Sequence, residues 1–120
     1  MLLGIDHVQL AAPAGCEEAA RNFFGEALGL EEVEKPGELR TRGGVWFRCG
    51  NQQLHIGVEE GFSPARKAHP AFHVAGYDAL LARLRQDEIE IVEDDTIPDL
   101  RRSFVSDPFG NRIELLESLT

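Results

Sequence analysis

The chain has 120 residues, 42% hydrophobic and 28% charged, the size and balance of a globular domain able to bury a core. Its 12 lysines and arginines against 21 acidic residues leave a net charge of −9, which repels phosphate backbones and argues against nucleic acid as a partner. No apolar run approaches the roughly 20 residues of a membrane-spanning helix, so no membrane partner is expected.

The N-terminal Met1-Leu2-Leu3-Gly4-Ile5-Asp6 has no basic patch and only a short apolar stretch, which points away from a signal peptide and towards a cytoplasmic protein. Residues 3–12 alternate loosely and read as a strand. Gly15 opens a helix through Leu28, with Cys16, Ala19, Ala20, Phe23, Phe24, Ala27 and Leu28 at three- and four-residue steps. Gly29 supplies a left-handed stop. Short strands follow at Leu30–Lys35, Gly44–Cys49 and Gln52–Glu59, the last two joined by a tight Gly50-Asn51 turn.

A connecting loop from Gly61 to Lys67 leads into a second pass of the same order. A strand is expected over His69–Ala75 and a helix over Tyr77–Gln86, with Leu80, Leu81 and Leu84 on one face. Strands follow at Ile89–Glu93, Arg102–Ser106 and Asn111–Glu117. Asp107-Pro108-Phe109-Gly110 joins the last two, with Asp first, Pro second and Gly fourth, as a β-turn prefers. Cys16 and Cys49 show no metal or redox spacing and are expected to be reduced and structural.

The two passes are related by a near-constant offset: 62 from His7 to His69, 60 from Gly50-Asn51 to Gly110-Asn111, and 59 from His55 to Glu114. Such a repeat predicts an α+β fold of two βαβββ modules, 1–60 and 68–120, forming a curved mixed sheet within a single domain. The alternative is an accidental alternation of strands and helices.

The repeat also selects chemistry. Its equivalent positions hold His7 and His55 in the first half, and His69 and Glu114 in the second, all good ligand types for Zn, Ni, Mn or Fe(II). If the halves close face to face, the four would converge on one divalent ion. Singly, each has an ordinary role as a strand or surface residue; together, at repeat-related places, they read as a ligand set. His73 shares the alternation of His69 and could replace it, although its spacing to the second helix disfavours that. It reads as a cavity-lining residue and proton donor, with Gln9 in the corresponding place of the first half. Trp46, Phe47 and Phe72 would wall a small-molecule pocket or serve as core.

Three segments carry a family resemblance: Ile5-Asp6-His7-Val8, the helix end Phe23-Phe24-Gly25-Glu26-Ala27-Leu28-Gly29-Leu30, and Asp107-Pro108-Phe109-Gly110-Asn111-Arg112-Ile113-Glu114. Over nearly its whole length the chain resembles the vicinal oxygen chelate superfamily of glyoxalase I, fosfomycin-resistance enzymes, extradiol dioxygenases, methylmalonyl-CoA epimerase and bleomycin-resistance proteins. The resemblance implies a glyoxalase-like fold, a homodimer, and a divalent metal held by His7, His69 and Glu114. His55 matches a fourth position that is a glutamate in glyoxalase I, acting there as ligand and base. A histidine brings no negative charge, which argues against true glyoxalase I activity. The implied function is a metal-dependent lyase or isomerase acting on a substrate with adjacent oxygens, with His55 or His73 moving a proton. Fe(II) extradiol ring cleavage is one rival, and metal-free binding of a drug or metabolite is another.

Overall fold

A computed structural model describes residues 1–119. Contacts divide the chain into two compact units, the first ending at Pro64. Each unit has one four-stranded mixed sheet and follows the order strand, helix, three strands.

In the first unit, β1 (His7–Ala12) leads to α1 (Glu17–Ala20), which continues as a π-helix over Arg21–Ala27. Then come β2 (Glu31–Val33), a 3-10 helix (Gly37–Arg42), β3 (Val45–Cys49) and β4 (Gln52–Val58). The sheet order is β1-β4-β3-β2, with β1 parallel to β4 and the other pairs antiparallel. The expected first strand starts four residues late, because Met1, Leu2, Leu3 and Ile5 lie exposed.

The expected helix is α-helical only in its first turn. Farther on the hydrogen bonds widen, with Leu28 N–H donating to the Phe23 carbonyl at 2.9 Å. Ala20, Phe23, Phe24 and Ala27 are buried, a spacing that suits either winding and does not distinguish the two. Phe24 packs on Phe47 at 5.9 Å between ring centroids. With Val45, Leu54 and Ile56 these residues make the core side of the sheet.

The second unit has β5 (Ala71–His73), α2 (Tyr77–Gln86), β6 (Val92–Asp94), β7 (Leu100–Ser106) and β8 (Arg112–Ser118). Its order, β5-β8-β7-β6, repeats the first, again with a parallel pair (β5 with β8) and two antiparallel ones. β5 is shorter than expected because Pro70 has no N–H to give a ladder. The pairing still extends beyond it through Glu114 N–H to the Pro70 carbonyl at 3.0 Å and Val74 N–H to the Leu116 carbonyl at 2.8 Å. β6 begins later than expected, since Ile89 N–H still closes the helix end on the Leu84 carbonyl at 3.0 Å.

The turn into β8 is knotted by its own aspartate. Asp107 Oδ1 accepts N–H bonds from Phe109 and Asn111 at 2.9 and 2.8 Å, and Oδ2 accepts Asn111 Nδ2 at 2.8 Å. Among the described residues, no helix is long and apolar enough to cross a membrane.

Candidate metal centre

In the first unit the pairing of β1, β4 and β3 sets His7, Gln9, His55 and Trp46 on one face, opposite Leu54 and Ile56. His55 sits on the middle strand and is sandwiched between two rings. Its centroid lies 4.2 Å from that of His7, with 19° between the planes, and 3.7 Å from that of Trp46, with 1°. This cover explains why His55 is only 4% exposed although it faces away from the core. Burial pushes its pKa down, and the neighbouring His7 adds to that. Its Nε2 lies 2.8 Å from Gln53 Oε1; a carbonyl oxygen only accepts, so Nε2 carries the hydrogen and Nδ1 the lone pair.

His7 is held differently. Its Nδ1 lies 2.9 Å from Asp6 Oδ2, which leaves the Nε2 lone pair available. Because the His7 and His55 rings are nearly parallel, their in-plane lone pairs run in separate layers and do not address a common point. Gln9 lies over Gly57, where a Cβ would come within 2.8 Å of its amide.

In the second unit His69, just ahead of β5, meets Glu114 on β8. His69 Nε2 lies 2.9 Å from Glu114 Oε1, while its Nδ1 lies 2.9 Å from the Lys67 carbonyl. The carbonyl requires a hydrogen on Nδ1, which leaves Nε2 facing a carboxylate oxygen, and either a proton or a cation between them completes that contact. Donors bound to one ion at about 2.0–2.2 Å lie roughly 3 Å apart when their bonds meet at right angles, so the observed spacing suits a shared metal. Glu114 is 7% exposed, and its Oε2 takes Arg102 Nη1 at 3.4 Å.

The donors therefore stand as pairs, His7 with His55 and His69 with Glu114. Among the described residues, no three histidine, cysteine, aspartate or glutamate side chains form a group that could hold an ion. His73 is exposed and in register with Leu116, on the same strand face as Glu114. Trp46 and Gln9 lie on the face of the histidines. Phe47 and Phe72 do not: strand alternation turns Phe47 to the core against Phe24, and sets Phe72 beside buried Leu115, so neither walls a pocket on the donor face. Arg102 and Asp94 belong to the Glu114 cluster and escaped the sequence reading. The signal was the alternation of Arg102 with Phe104, which is in register with Glu114, while Asp94 is in register with Arg102.

The chain is similar to several solved structures. A glyoxalase family protein from Bacillus anthracis is 57% identical, with a TM-score of 0.95 over 98% of this chain and 97% of that one. Lactoylglutathione lyase from Agrobacterium tumefaciens is 25% identical, with a TM-score of 0.73 over 95% and 92%. A mutant of the fosfomycin resistance protein FosX from Listeria monocytogenes, solved with Mn(II) and a dihydroxypropylphosphonic acid, is 17% identical, with a TM-score of 0.80 over 98% and 94%. No curated protein matches the sequence. The family profile for the Glyoxalase/Bleomycin resistance protein/Dioxygenase superfamily matches residues 4–115. With that match spanning nearly all of its length and the same fold in its solved relatives, the chain belongs to this superfamily.

Proposed function

We propose that the protein is a divalent-metal-dependent enzyme, a glyoxalase-like lyase or isomerase, acting on a small molecule with oxygens on adjacent carbons. The observation that carries this reading is the His69–Glu114 pair, in which an imidazole nitrogen and a carboxylate oxygen face each other at 2.9 Å. Its similarity to a lactoylglutathione lyase supports lyase or isomerase chemistry.

His7, His69 and Glu114 are the proposed donors. A bound divalent ion supplies Lewis acidity at a substrate carbonyl or enolate. Glu114 contributes the negative charge, and the Lys67 carbonyl fixes the ring of His69 through Nδ1. His55 is proposed as the group that moves the proton instead of a fourth donor, because its ring is stacked against His7. Its Nδ1 accepts a proton from substrate carbon while Gln53 holds Nε2–H. Trp46 covers the other face of that ring and keeps water from it.

Metal analysis of protein purified without a histidine tag tests this reading. About one ion per chain is expected, lost in His69→Ala and Glu114→Gln and kept in His73→Ala. Near-zero metal, with a melting temperature indifferent to chelator, would replace the enzyme reading with simple small-molecule binding. Oxygen uptake with catechols would move it to ring cleavage.

A further inference from the structure

Glu114 belongs to a row of polar side chains that crosses its whole sheet. Thr96 donates to Asp94 Oδ1 through its N–H at 2.9 Å and its hydroxyl at 2.6 Å. Asp94 Oδ2 accepts Arg102 Nη2 at 3.1 Å, and Arg102 Nη1 donates to Glu114 Oε2 at 3.4 Å. Glu114 Oε1 then meets His69. The row thus runs from β6 through β7 to β8, and ends on the residue that precedes β5 by two.

The geometry of Arg102 differs from the frequent bidentate pair, in which two parallel N–H groups meet one carboxylate. Arg102 instead splits its two Nη groups between Asp94 and Glu114, and among the described residues its buried Nε has no hydrogen-bond partner. A buried N–H without a partner is costly, so the split calls for an explanation. The arrangement does achieve one thing. Asp94, itself tethered by Thr96, fixes one end of the guanidinium; the other end occupies a single oxygen of Glu114.

We infer that Arg102 is a positioning residue: it takes Oε2 of Glu114 and leaves Oε1 as the one oxygen presented beside His69 Nε2. Its consequence for a bound ion rests on the metal reading above, and makes Glu114 a one-oxygen donor of reduced charge. The positioning itself does not depend on that reading.

The experiment uses the full chain with nitrogen-15 in its histidine rings, first metal-free and then titrated with Co(II) at fixed pH. In metal-free Arg102→Met the ring resonances of His69 should shift, with a smaller shift in the same direction in Asp94→Asn. Co(II) affinity should fall about ten- to a hundredfold in Arg102→Met, with a changed Co(II) visible spectrum and partial recovery in Arg102→Lys. A merely structural Arg102 would lower the melting temperature and leave the His69 resonances and the Co(II) spectrum as in the parent, which would overturn the inference. If the parent binds no Co(II), the metal reading fails. The His69 resonances still decide the positioning: a shift in the variants upholds it, and unmoved resonances sink it. Should Arg102→Met not fold, Asp94→Asn and Arg102→Lys carry the same readouts.

Discussion

The Glu17 carboxylate reaches across 27 residues of sequence to accept the N–H of Gly44 at 2.6 Å. That hydrogen bond, ahead of smaller contributions, holds the Glu17 pKa below the usual carboxylate range. A lowered carboxylate pKa adds stability above the unfolded value and loses it as pH falls through the folded value. Glu17→Gln should cost about 1 kcal/mol at neutral pH, given its partial exposure. Melting curves of both proteins should converge as pH drops below the ordinary carboxylate range; a gap constant with pH would refute the ionic origin.

Gly44 itself cannot take a side chain. Its φ is 87°, and a Cβ would run into the Ile56 carbonyl oxygen of the neighbouring strand. Gly50 has a φ of 61° but open space around the missing Cβ. Gly44→Ala should therefore cost roughly 2–4 kcal/mol, combining backbone strain with a clash, and Gly50→Ala only about 1 kcal/mol. Urea denaturation compares the pair, and equal losses would show that the close approach is unimportant.

Asp107 is 4% exposed, and burial pushes its pKa up against the pull of its hydrogen bonds from Asn111 and Phe109. By the same linkage a raised carboxylate pKa favours the fold at low pH, with that advantage lost as pH rises through the folded value. Even so, Asp107→Ala should destabilise at every pH, by about 2–4 kcal/mol. It removes the acceptor that Phe109 N–H, Asn111 N–H and Asn111 Nδ2 now use. Chemical denaturation at pH 4 and pH 7 checks both sign and size.

The ring of Trp46 is half of the cover over His55. Trp46→Ala should admit water, relieve the burial that lowers the His55 pKa, and move it up towards the ordinary histidine value. NMR titration of the ring reports this directly. In the parent, stability should fall as pH drops from the ordinary histidine value through the lowered one, and that slope should flatten in the variant.

Much of this arrangement was legible in the residues. The offset between halves found the His69–Glu114 pair, 45 residues apart, that no local motif joins. The two-residue Gly50-Asn51 turn fixes the register of its hairpin, so Trp46 opposite His55 and Phe47 opposite Leu54 follow by counting back from it. By that count Phe47 belongs to the core, which decides between the two roles open to it. The π-winding of Arg21–Ala27 left no trace, since buried residues three and four apart serve both windings. Arg102 was hidden for another reason. A strand arginine reads as a solvated charge, and only the pairing of Asp94 with Arg102, then of Phe104 with Glu114, shows which acids it meets.

The charged row has an effect on folding as well as on the donor. Side chains of a strand alternate, so sliding β7 by a single residue would swing Arg102 to the side where Ser103 and Val105 are now buried. A guanidinium sealed there without its acids would cost roughly 3–5 kcal/mol, enough to depopulate the slipped sheet. Asp94 and Glu114 thereby act as alignment pins, and the observed register is the one in which Arg102 meets both acids.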